Sequence, residues 1–235
     1  MAGIMTLTLF SESSLGNESW PVDEPEHASC LELRADHPLA RELLLRAVGD
    51  ALGICPLLRW RLRSIHLQTA WSGRENALAL CVDGRTRRSP IGIAIGELSL
   101  GLYGSTDYLR RQRIATLEDA LTHPIIDLEL GELGERGGVG TCAARSMANA
   151  DRRTRNVHES LRFALSSKGL AWLPPLFAED GQRSGRLKRV MSQAACRATA
   201  PIHVCLPHRR KPGPHALIVV DRLAAVIRAS NECLT

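Results

Sequence analysis

Aromatic residues are scarce: two Tyr, three Phe and four Trp make up 4% of the 235 residues. That argues against a protein that stacks bases of single-stranded nucleic acid on aromatic platforms. No apolar run approaches the ~18 residues of a membrane span. MAGIMTLTLF lacks a basic leader region and its apolar part is too short for a secretory signal. There is no Cys-x-x-Cys, and the seven cysteines are odd in number. Cys30, Cys81 and Cys205 sit in apolar runs, as buried reduced thiols do, so a disulfide framework is not expected. Gly-x-Ser-x-Gly is missing, and with it the esterase elbow. These absences predict a soluble cytoplasmic protein that is not an enzyme and carries no cofactor.

What is present is an ordinary globular composition, 44% hydrophobic, long enough for one or two domains. Charge is uneven. Residues 1–29 hold five acidic and no basic residues, so the +5 of the whole chain leaves +10 on the remainder. The tail is also broken by Pro21 and Pro25, and we expect it to be poorly ordered. Basic residues gather around Arg152–Arg155, Arg183–Arg189 and Arg209–Lys211. No short run is uniformly basic, so a solvated face is preferred to a nucleic-acid surface.

From Cys30 onward, strand and helix patterns alternate. CLELRA reads as a strand. Asp36-His37-Pro38 opens a helix over about 39–52, with Asp36 as the expected cap. Its apolar arc exceeds one stripe, which suggests a second buried face and makes a partner subunit a candidate cover. LLRWRLRSI, ALALCV and LSLGLYGS (98–105) read as strands. Ser105 and Thr116 are positioned to cap short helices, and IIDLEL reads as a strand. HESLRFALSSK is a helix stopped at Gly169. GLAWL is a strand ended by Pro174 and Pro175, where another helix starts. PIHVCLP is a strand and GPHALIVVDRLAAVIRA the last helix. Such alternation implies an α/β fold with a mostly parallel sheet.

Three constellations bear on chemistry. His203, Cys205 and His208 form H-x-C-x2-H, but His203 and Cys205 alternate with apolar residues and lack a fourth ligand nearby, so a packed strand is preferred to a metal site. GERGGVGT (134–141) lacks the Gly-Lys-Ser/Thr ending of a phosphate loop and reads as a flexible loop. Finally, Ala35-Asp36-His37, Tyr103-Gly104-Ser105 and Asn156-Val157-His158 each open a helix. In doubly wound sheets, ligands sit outside the carboxyl ends of strands, so we expect these turns to converge on one site.

NVHESLRFALSSKGLAWLPPLFAEDGQRSGRLKRVM followed by PIHVCLPHRRKPGPHALIVVDRLAAVIRA resembles the C-terminal part of LysR-type transcriptional regulators. ELSLGLYGSTDYLRRQRIATLEDALTHPIID resembles the family's middle, and CLELRADHPLARELLLRAVGDALG the start of its effector domain. The resemblance covers about residues 30–229. It implies a fold similar to type 2 periplasmic binding proteins: two Rossmann-like subdomains, a ligand cleft between them and two chain crossovers. Subdomain I would comprise 30–99 plus 204–235, and subdomain II 100–203, with crossings in LSLGLYG and PIHVCLP.

The resemblance also implies a small-molecule effector in the cleft, and pairing of effector domains as a homodimer or tetramer, with which the wide helical arc agrees. DNA would be read by a winged helix-turn-helix that residues 1–29 do not supply. Asp36, His37, Asp83, Tyr103, Ser105, Asn156 and His158 are the expected cleft residues, lined by Ile125 and His203. The family often has Ser or Thr where Asp36-His37 stands, so the effector is expected to carry an amine or be neutral. The alternatives are a solute-binding protein of the same fold and a basic nucleic-acid-binding module.

Overall fold

The computed structural model describes residues 30–64, 77–82, 91–130, 152–191, 198–206 and 212–232. The acidic tail, the glycine-rich stretch from 131 and His208 lie outside these residues. The chain begins with β1 (Leu31–Ala35), which alternates buried and half-buried side chains. Helix α1 (Pro38–Ile54) follows, then the edge strand β2 (Trp60–Ser64) and β3 (Ala77–Val82), buried at all six residues. β1 pairs in parallel with both β2 and β3.

Strand β4 (Ile91–Ser105), of 15 residues, is the longest of the described strands. Only its latter part, 98–105, reads as a strand in the sequence. The earlier part alternates Ile91, Ile93 and Ile95 with small residues and ends at Gly96, where the register shifts and φ is +147°. A bulge at a glycine bends a strand without ending it. β4 leads into α2 (Thr106–Arg111), α3 (Leu117–Leu121) and β5 (Ile125–Leu128). The short strand β6 (Arg152–Thr154), not anticipated from sequence, pairs in parallel with β5. Then come α4 (Val157–Leu165), β7 (Leu170–Leu173), α5 (Pro175–Arg183), β8 (Leu187–Arg189), β9 (Ala198–Leu206) and α6 (Pro214–Glu232).

The strands form one nine-stranded sheet with two centres, in which β8 branches from β4. In the first half the order is β2-β1-β3-β9-β4, and in the second β6-β5-β7-β4-β8. Each half therefore has three parallel strands, then a strand that crosses from the other half, then one more. β4 and β9 pair antiparallel over most of their lengths and belong to both halves. The expected mostly parallel sheet is corrected accordingly: the pairings of β3 with β9, and of β4 with β7, β8 and β9, are all antiparallel. A strand that carries the chain out of a half must run against the strands of that half to which it returns.

The first half's core is aliphatic. Leu39, Leu43, Leu44, Ala47 and Ala51 of α1 meet Leu31, Leu33, Leu78 and Leu80 of the sheet. Burying each leucine contributes up to about 1.5–3 kcal/mol. The second face of α1 is covered by α6, whose Val219, Leu223 and Ile227 are also buried. The arc attributed above to a partner subunit is thus satisfied within the chain. α1 also continues past its expected stop at Gly53 and ends at Cys55, whose amide reaches the Ala51 carbonyl.

In the second half, Gly169 links α4 to β7. A Cβ there would lie 2.2 Å from the Pro124 carbonyl oxygen and 2.9 Å from the Phe163 ring. The Leu170 amide donates to that same oxygen at 2.8 Å, so the close approach starts the pairing with β5. Pro174 and Pro175 do what the sequence suggests: β7 stops, and Pro175 opens α5.

Candidate functional site

In both halves the parallel strands end at the junction between them. β1 ends at Ala35 and β5 at Leu128, and the residues that follow touch. Pro38 at the first helical position holds His37 extended (φ −135°, ψ 145°), so His37, not Asp36, is the cap of α1. Its Nδ1 accepts the Leu39 amide at 3.0 Å, and its Nε2 lies 2.7 Å from the Glu129 carbonyl, to which it donates. A ring that accepts at one nitrogen and donates at the other is neutral. Burial, to 4% exposure, lowers its pKa below the usual histidine value, and the Glu129 carbonyl partly offsets this.

Asp36, freed from capping, accepts the Val82 amide on Oδ1 at 3.4 Å, tying the end of β1 to the end of β3. Its backbone carbonyl accepts Arg155 Nη2 at 3.3 Å. Arg155 stands between β6 and α4, so this contact also crosses between halves. A third crossing joins His158 Nε2 to Glu42 Oε2 at 3.5 Å, and a fourth sets Arg46 5.2 Å above the Phe177 ring. His158 meets the same ring edge-on. One stripe of α1 therefore faces the start of α4 and α5.

The other expected residues divide. Asn156 caps α4, its Oδ1 accepting the His158 amide at 3.0 Å, and stands beside Arg155 at the junction. Ser105 caps α2 by accepting the Tyr108 amide, and its hydroxyl bonds that of Ser167 at 2.7 Å. Its function here is to join α2 to the end of α4. Tyr103 is fully buried and packs against Gly101 on its own strand, in the core of the second half. Ile125 is buried at the start of β5, about 13 Å along the strand from Glu129. Asp83 lies outside the described residues.

His203 pairs with Cys81 across β9, and its Nδ1 is buried without a hydrogen-bond partner among the described residues. Cys81 and Cys205 place their Sγ atoms 3.4 Å apart, and both are free thiols. Each thiol neighbours the other in an apolar setting, which pushes the Cys81 pKa up. Among the described residues no three His, Cys, Asp or Glu gather to hold a metal.

Sequence reasoning missed Glu42, Glu129 and Arg155. His37 and Glu129 are 92 residues apart and Arg155 and Asp36 are 119 apart, so no local pattern points to either pairing. It also missed Asp127 on β5. Its Oδ1 is buried without a hydrogen-bond partner among the described residues, and burial pushes its carboxyl up to about 6, partly offset by Arg153 on the neighbouring strand.

The chain's sequence matches the LysR substrate binding domain model over residues 26–228. It belongs to that family. No curated protein sequence matches the chain. Among solved structures, the effector domain of the transcriptional regulator AmpR of Pseudomonas aeruginosa is similar. It has 16% identity and a TM-score of 0.63, over 86% of this chain and 98% of that one. The regulatory domain of CrgA, a LysR-type regulator from Neisseria meningitidis, gives 14% identity and 0.62, over 85% and 98%. Full-length AphB, the Vibrio cholerae virulence activator, gives 14% and 0.60, over 84% of this chain and 68% of that one. At these identities the structures share the fold. The LysR substrate-binding domain has the type 2 periplasmic-binding-protein-like architecture expected from the resemblance. No described helix is long and apolar enough to cross a membrane.

Proposed function

We propose that this LysR substrate-binding domain senses a small-molecule effector held between its halves, and passes the change on through their relative angle. The observation that carries this reading is the junction itself. Strand ends of both halves converge at His37 and Glu129, while β4 and β9 run continuously between the halves. Such an arrangement can hinge, with the Gly96 bulge as the flexible point in β4. An effector that fits one angle better shifts the population toward it. Asp36, Arg155, Asn156 and His158 are the residues we place at the effector; His37 sets the approach of the halves. Family membership supports pairing of such domains as a homodimer or tetramer, DNA engagement through a helix-turn-helix, a cytoplasmic setting and no catalysis.

The test is a thermal-shift screen with small carboxylates, amines, amino acids and neutral aromatics. A ligand at about 100 times its Kd should add about 2.7 kcal/mol of stability. Asp36→Asn should weaken the hit. Unchanged affinity in Asp36→Asn and in Arg155→Gln alike would place the ligand elsewhere.

A further inference from the structure

We propose that Cys81 and Cys205 are a dithiol that a small uncharged peroxide converts to a disulfide, tying the crossing strand β9 to β3. Both cysteines are reduced, and their Sγ atoms are 3.4 Å apart. Cys81 stands opposite His203, and Ala79 opposite Cys205, so the thiols are diagonal neighbours on one face of the sheet. That face is the one turned away from α1. Leu78 and Leu80, which α1 covers, alternate with Ala79 and Cys81 along β3. Ala79, Cys81 and Cys205 accordingly form a small cluster apart from the main core.

Access comes from the β4 side. Gly92 stands opposite Cys205 and Ala94 opposite His203 on this face, and both are exposed. Neither carries more than a methyl group to shield the sulfurs. The thiols themselves are 0% and 1% exposed, so the oxidant must be small. Hydrogen peroxide fits that requirement, and glutathione disulfide, a bulky charged peptide, does not.

The chemistry takes two steps. One sulfur attacks a peroxide oxygen and breaks the O–O bond; its thiol proton leaves with the other oxygen as water, and a sulfenic acid remains. The second sulfur attacks the sulfenic sulfur, the S–S bond forms, and the hydroxyl leaves with the second thiol proton as another water. Two thiols are oxidised and one peroxide is reduced. The thiolate is the nucleophile, and contact with Cys205, then burial, holds the Cys81 thiol protonated, so the first step is slow. The second joins groups already in contact and is fast, so the sulfenic acid is captured before it oxidises further. The pair responds to sustained peroxide rather than to a brief pulse.

Diagonal neighbours usually stand about 7–8 Å apart at Cα, and a disulfide spans at most about 6.8 Å. Closing the bond therefore draws β9 along β3 by roughly an ångström. β9 is one of the two strands that run between the halves, and its Ile202 pairs with Gly96 at the bulge of β4. The tie thus acts on the hinge from within the first half, whatever occupies the junction.

The experiment treats the full chain with millimolar hydrogen peroxide or glutathione disulfide, then alkylates it and digests it with trypsin. Peroxide should link peptides 75–85 and 198–209 with loss of two hydrogens, and dithiothreitol should separate them. Cys81 and Cys205 are 124 residues apart, so the linked chain should melt higher by about 5 °C or more. Amide exchange in 91–97 and 199–206 should slow by about tenfold or more. Cys81→Ala and Cys205→Ala should each lose the link and both shifts, and their melting temperatures before oxidation report whether they fold. Should either fail to fold, the peptide map of the unaltered chain decides alone. Peptides left unlinked after hours in peroxide, or either cysteine joined instead to another of the seven, overturn the proposal. Equal linking by glutathione disulfide overturns the small oxidant, and a link that leaves exchange in 91–97 unchanged overturns the tie on the hinge.

Discussion

The first half is organised by α1 and α6, helices of 17 and 19 residues that pack along each other over the sheet. No described helix of the second half exceeds nine residues. Its helices are instead held by their ends. Ser105, Thr116 and Asn156 each accept an amide of the first turn, and Thr116 with Asp119 completes a capping box. Its sheet also uses glycine contacts closer than any side chain allows, and buries Trp172 and Tyr103 where the first half buries leucines. One strand order is thus reached by two routes. Long helices bury enough apolar surface for their unsatisfied ends to matter little. In a helix of two turns, most backbone groups are end groups, and the caps matter more.

The difference can be broken most forcefully at Gly169. Gly169→Ala sets a methyl group against the Pro124 carbonyl and should cost about 3 kcal/mol or more, read from denaturant unfolding. A loss under about 1 kcal/mol would mean that the second half yields at this contact. The next effect depends on pH. The Asp127 carboxyl titrates near 6 when folded and near 4 when unfolded, so the native chain binds the extra proton between these values. Its contribution is present below about pH 4 and is lost as pH rises through 6, about 2–3 kcal/mol in all. Asp127→Asn should flatten that slope, and an unaltered pH profile would contradict the burial argument. Asn156→Ala should cost about 1 kcal/mol by removing the cap of α4. The smallest effect carries the opposite sign. Gly49 lies exposed within α1 with nothing within 4 Å of an added Cβ, so Gly49→Ala should stabilise by about 0.5–1 kcal/mol.

The same contrast explains what the sequence made legible. Caps are local, and Ser105, Thr116 and Asn156 can be read from residue types a few positions apart. Strands of alternating or continuous apolar residues, and the Gly169 and Pro174-Pro175 stops, are local too. The start of β4 was hidden by its glycines, and β6 is too short to show a period. The wide face of α1 was visible, but not that α6, more than 150 residues later, would cover it. Assigning the cap to Asp36 overlooked how Pro38 fixes the residue before it. Pairings across the junction, such as Asp36 with Arg155, carry no local trace at all. The acidic and basic residues were each countable, yet which of them meet is decided by the two crossings of the chain.

The central claim is that one molecule binds both halves at their shared junction. Hydrogen exchange of the full chain with and without a bound effector tests it most directly. The account predicts protection in 36–42 of the first half together with 128–130 and 154–160 of the second, at one ligand concentration and to a common saturation. Protection confined to one half, or absent from all three segments at saturating ligand, would contradict it.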